Sequence, residues 1–75
     1  MNTVTFYEKQ YYCEKQGYRC KGQLEGLQFR VLQYKNDQFL KPGPWVNIQQ
    51  IPEAYRTAYE EIYEFLTKSN GNGEF

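Results

Sequence analysis

One amphipathic stretch near the C-terminal end constrains this chain more than any other feature. From Pro52 to Lys68, at 100° per residue, Ala54, Tyr55, Ala58, Tyr59, Ile62, Tyr63, Phe65 and Leu66 fall in one half of the helical wheel. Glu53, Arg56, Thr57, Glu60, Glu61, Glu64, Thr67 and Lys68 fall in the other. Pro52 suits a first helical turn, and Ser69-Asn70-Gly71-Asn72-Gly73 supplies a stop. The pattern predicts a helix over 52–68, with i,i+4 pairing of Arg56 with Glu60 and of Glu64 with Lys68, and a flexible tail over 69–75. Such a helix has to lay its apolar half on another layer, and the residues before it must build that layer.

Upstream, β-forming residues alternate with three turn signals, Gln16-Gly17, Glu25-Gly26 and Asn36-Asp37. Reading each as a two-residue hairpin loop predicts strands at about 5–14, 18–24, 27–35 and 38–41. In that register Cys13 faces Cys20, Glu14 faces Arg19, Lys21 faces Arg30 and Tyr34 faces Phe39. One face then collects Tyr11, Cys13, Tyr18, Cys20, Leu24, Leu27, Phe29, Val31 and Leu40. The other collects Tyr12, Glu14, Arg19, Lys21, Gln23, Gln28, Arg30, Leu32, Tyr34, Phe39 and Lys41. The expected architecture is α+β: an antiparallel β-meander of three to four strands packed on one C-terminal amphipathic helix, a single small domain over 1–68. A competing reading makes 6–16 a helix, because Thr5 and Glu8 form a capping-box pattern and Gly17 sits where a helix would end. The strand reading is preferred, since Phe6, Tyr7, Tyr11, Tyr12 and Cys13 spread around the helical wheel and leave no single buried stripe.

At 75 residues the chain has room for one core; a domain this small buries only roughly 60% of its unfolded surface. Isoleucine, leucine and valine number eleven, against eight tyrosines, five phenylalanines and one tryptophan. Aromatic rings bury large areas at low side-chain entropy, and each tyrosine carries a hydroxyl that needs water or a partner. Nine basic and nine acidic side chains cancel, which excludes a strongly basic nucleic-acid coat protein and an acidic solvating tail. The charge is nonetheless polarised: residues 9–41 carry seven basic and three acidic side chains, residues 52–75 two basic and five acidic.

The chain has no histidine, so Ser-His and Cys-His nucleophiles and histidine-containing zinc sites cannot be assembled within it. Gly17, Gly22 and Gly26 match no phosphate-binding loop. The carboxylates of Glu60, Glu61 and Glu64 are expected on a solvated helix face, where nothing raises a pKa. These absences predict a non-enzymatic protein without a metal or cofactor. Cys13 and Cys20 read as reduced, buried small hydrophobes; a cross-strand disulfide is the competing reading and needs an oxidising compartment. No apolar run approaches the ~20 residues that span a bilayer, and no secretory signal pattern opens the chain. The expectation is a cytoplasmic protein with no membrane partner.

The most informative constellation is the expected outward sheet face, where Arg19, Lys21, Arg30 and Lys41 interleave with Tyr34 and Phe39. Trp45, after the rigid Pro42-Gly43-Pro44 turn, reads either as a plug closing the core or as an exposed anchor for a partner. These seven residues form the candidate partner-binding set. The function expected is a small protein-interaction module, a regulator or inhibitor of a larger protein or complex. The alternative is a nucleic-acid-binding domain using the same face for phosphate contacts and base stacking. A subunit that self-associates through an edge strand is a third reading.

Overall fold

A computed structural model describes the backbone of residues 4–72 and the side chains of residues 4–68. Its elements run α1 (Phe6–Lys15), β1 (Tyr18–Glu25), β2 (Gln28–Lys35), β3 (Gln38–Pro42), β4 (Val46–Asn47), a 3-10 turn (Ile48–Gln50) and α2 (Ile51–Asn72). The antiparallel sheet and the C-terminal helix are as the patterning predicts. The sheet is centred on β2, with β1 along its whole length on one side. A strand has only two edges, so β3 and β4 share the other edge in succession, joined by the Pro-Gly-Pro corner. Gly43 closes that corner by donating its amide to the Val31 carbonyl at 2.7 Å.

The expected first strand is instead helix α1. Thr5 and Glu8 form the reciprocal cap: the Glu8 amide donates to Thr5 Oγ1 at 3.2 Å and the Thr5 amide to Glu8 Oε1 at 2.9 Å. Gly17, at φ +95°, ends the helix in the left-handed region. The apolar count around the wheel misled because Tyr7 and Tyr11 point into solvent. Phe6, Tyr12 and Cys13 are the residues that pack, with the Phe6 ring against Tyr59 and Tyr12 against Tyr63. Tyr12 and Glu14 therefore leave the sheet, and Cys13 no longer faces Cys20 across a hairpin.

The first hairpin turns at Gly26-Leu27 rather than Glu25-Gly26, and the β1–β2 register moves accordingly: Lys21 faces Leu32, and Arg30 faces Gln23. The first position of this loop takes φ +61°, which glycine adopts freely and Glu25 would not. The slip changes every partner yet leaves every β1 and β2 side chain on its expected face, because each pairing moves by two positions. The second hairpin turns as expected at Asn36-Asp37, both at positive φ, with Tyr34 facing Phe39.

Tyr18, Phe29 and Val31 are buried on the inner face against Ala58, Tyr59 and Ile62 of α2, with Cys13 of α1 completing the core. Gly22 lies under this layer, where a Cβ would fall 2.6 Å from both the Phe29 ring and the Tyr55 hydroxyl. The apolar face outruns the helix that covers it: Leu24 and Leu27, at the hairpin tip, are 64% and 71% exposed. Leu40 and Phe65, also assigned to the core from the sequence, are exposed too. Helix α2 begins at Ile51 and continues past the expected stop at Ser69 to Asn72; the remainder of the predicted tail, 73–75, lies outside the described residues.

Candidate functional site

Strand alternation carries Arg19, Lys21, Gln23 and Glu25 of β1 and Gln28, Arg30, Leu32 and Tyr34 of β2 to the face away from α2. Phe39 joins them opposite Tyr34, the two rings packed edge-to-face with centroids 5.6 Å apart. Trp45 precedes Val46, which packs into the core, so the indole projects to the outer face. It is not the core plug that its place after Pro44 suggested. The structure thus brings together Arg19, Lys21, Arg30, Tyr34, Phe39 and Trp45.

Lys41 departs from the set. A bulge between Gln33 and Tyr34 leaves Leu40 unmatched and sets Lys41 opposite Gln33 rather than on the aromatic face. Its ammonium lies 3.3 Å from Glu61 on α2, whose carboxylate also accepts from Gln33 Nε2 at 3.0 Å. The Gln33 hydrogen bond foremost, with Lys41 adding, holds Glu61 below the usual carboxylate range against the opposing effect of its burial. The other ion pair among the described residues joins Lys9 to Glu60 at 3.7 Å, so the glutamates of α2 tie elements together instead of forming only a solvated face. These replace the expected pairing of Arg56 with Glu60.

Two cations of the outer face, Lys21 and Arg30, are held by neutral groups. The Lys21 ammonium lies 4.8 Å from the centre of the Tyr34 ring, and the Arg30 guanidinium carbon 4.5 Å from that of Trp45. Arg30 Nε also donates to Gln23 Oε1 at 2.6 Å. Glu25 shares this face but pairs with neither Arg19, Lys21 nor Arg30. Gln23 is the site residue that the sequence reading placed on the face without assigning it a role. Choosing Gly26 as the first loop residue would have set it opposite Arg30.

The two thiols occupy the other side of the sheet around Tyr59. Cys13 Sγ donates to the Tyr59 carbonyl at 3.5 Å, and the Cys20 amide donates to the Tyr59 hydroxyl at 3.3 Å. Burial pushes the Cys13 thiol up to about 11, with the Glu14 carboxylate adding to it. Cys20 rises to about 12, again chiefly by burial, against a hydrogen bond from Tyr59 that lowers it and with Cys13 and Glu14 adding to the rise. Both are free thiols, and both stay protonated at neutral pH, the reverse of what activates a cysteine as nucleophile or ligand. Among the described residues no three acidic or thiol side chains converge as a metal site would require, and no helix is long and apolar enough to cross a membrane.

Compared with known proteins, the chain matches no family model, no curated protein and no solved structure.

Proposed function

We propose that this chain is a non-enzymatic protein-interaction module, a regulator or inhibitor that docks on the acidic surface of a larger protein through its outer sheet face. One observation carries the reading: Arg19, Lys21 and Arg30 share a face with Tyr34, Phe39 and Trp45, and among the described residues none of these cations is matched by a carboxylate. Elsewhere, Lys9 and Lys41 are matched, by Glu60 and Glu61, while Lys15 and Lys35 lie over the Tyr11 and Tyr18 rings. Like charges kept on one face cost stability and raise attraction for an oppositely charged partner. The aromatic rings add the wide, low-entropy contact area that interfaces favour. Nothing in the proposal calls for a cofactor, and protonated thiols suit a reducing cytoplasm.

A nucleic-acid partner is the alternative, supported by Phe39, 53% exposed at the margin of the cationic face. The protein reading is favoured because Lys21 and Arg30 already cover one side of the Tyr34 and Trp45 rings, leaving them poor platforms for bases.

Affinity capture with the parent chain and with Arg19→Glu and Lys21→Glu tests the proposal. A discrete protein partner retained by the parent and lost from both variants is the expected result. Retention of that partner by both variants would overturn it. Oligonucleotide binding at low salt that collapses as salt rises would transfer the face to the alternative.

A further inference from the structure

The three outer-face cations are not equivalent. Arg19 is exposed and Lys21 lies over a tyrosine, but Arg30 is half-buried and gripped from two directions. The guanidinium carbon lies over the Trp45 ring, 4.5 Å from its centre, and Gln23 Oε1 accepts from Arg30 Nε. Both partners are uncharged, and Nε is the only guanidinium nitrogen engaged in a hydrogen bond among the described residues. The two terminal nitrogens therefore remain available as a planar fork of donors, and the full positive charge is uncompensated. Ordering a long side chain before a partner arrives removes part of the entropy cost of binding. A cation merely placed for solubility needs no such support.

Resting on the docking face argued above, we propose that Gln23, Arg30 and Trp45 form a preorganised carboxylate clamp, whose ligand is an aspartate or glutamate side chain on the protein partner. The charge complementarity is direct: one fixed guanidinium accepts one carboxylate in a bidentate pair. Leu32 lies beside Arg30 on the same face, partly buried, and provides an apolar contact next to the carboxylate. Phosphate would satisfy the same fork. A side-chain carboxylate is favoured because the face of Trp45 turned toward Arg30 is already covered by the guanidinium, so a base adjoining a bound phosphate could not stack on that face.

Trp45 is the sole tryptophan, so its fluorescence reports on the clamp. Hexaglutamate titrated at low salt is expected to change Trp45 emission saturably. Arg30→Lys, which keeps charge and stem but loses the fork, should weaken that binding about tenfold. Gln23→Ala, which frees the guanidinium without touching it, should weaken it several-fold, and serves as the second variant if Arg30→Lys alters the circular dichroism of the fold. Hexaglutamate binding that is equally strong in both variants overturns the clamp; if it is lost in Lys21→Glu instead, the docking face survives and only its anchor was misassigned. Absence of any response to hexaglutamate overturns the clamp as well, leaving the capture experiment to judge the face independently. Saturation by inorganic phosphate or oligothymidylate at lower concentration than hexaglutamate assigns the fork to phosphate and overturns the carboxylate.

Discussion

The hydroxyl of Tyr59 donates to the carboxylate of Glu14 at 3.1 Å. The same oxygen accepts the amide of Cys20 at 3.3 Å, so one phenol joins α2, α1 and the outer edge of β1. An edge strand otherwise presents a row of unpaired amides, and this contact engages one of them. The helix that opens the chain is thereby fastened to the sheet by a polar bond as well as by the packing of Phe6 and Cys13.

Tyr59→Phe should therefore destabilise the fold by about 1–2 kcal/mol, because it leaves the Cys20 amide without its acceptor and Glu14 with only its bond from Gln10, while keeping the ring in place. Urea denaturation followed by circular dichroism measures it. A midpoint equal to that of the parent would show that water replaces the hydroxyl at no cost.

The thiols give a pH dependence whose sign follows from their upward shifts. Unfolded cysteines lose their protons near pH 9, whereas folded Cys13 and Cys20 hold theirs until about 11 and about 12. Between those limits the folded state binds more protons than the unfolded, so this contribution to stability is complete below pH 9 and declines as pH rises. Denaturation midpoints measured from pH 8 upward should fall, and the fall should lessen in Cys20→Ala. Native-state alkylation at pH 8 should likewise be far slower than after denaturation.

Gly22→Ala places a methyl group 2.6 Å from the Phe29 ring and the Tyr55 hydroxyl. Overpacking at a buried aromatic contact costs about 1–3 kcal/mol, although Gly22 sits in a strand, where alanine would ordinarily be the better residue. A stability equal to or above that of the parent in thermal melts would mean that Tyr55 moves aside freely.

Lys41→Ala removes an exposed ion pair with Glu61 and should cost no more than ~1 kcal/mol. Because the bulge takes Lys41 off the aromatic face, the variant should bind the captured partner as the parent does, in contrast to Lys21→Glu. Equal losses in the two variants would place Lys41 back among the docking residues.

Thr5→Ala removes half of the capping box and should cost ~1 kcal/mol with a loss of helical signal in circular dichroism. An unchanged spectrum and midpoint would mean that α1 is held by its packing alone.

The cues that failed did so for identifiable reasons. The stop at Ser69-Asn70-Gly71 describes where a helix is permitted to end, and α2 continues beyond it. The capping box at Thr5 and Glu8 is a local signal and was readable, but exposed Tyr7 and Tyr11 hid the stripe that packs. Gln33 drew no attention as a polar residue in a strand, yet it is 5% exposed and donates to Glu61, a role that exists only once α2 lies over the sheet.

The sequence by itself determined the amphipathic helix, the existence of the meander and the two faces of β1 and β2. Strand side chains alternate with a period of two, so a slip that shifts pairing by two positions exchanges neighbours without exchanging faces. Arg19, Lys21, Arg30 and Tyr34 were thus assignable to one surface even with the wrong partners. Only the tertiary structure decided that Lys41 leaves that surface, since one bulged residue breaks the period and nothing in the strand's composition marks where it falls. It also decided that Arg30 meets Trp45 and Gln23: that contact joins β1, β2 and the residue just before β4 across two turns and a corner, and its geometry is set by how the whole sheet closes.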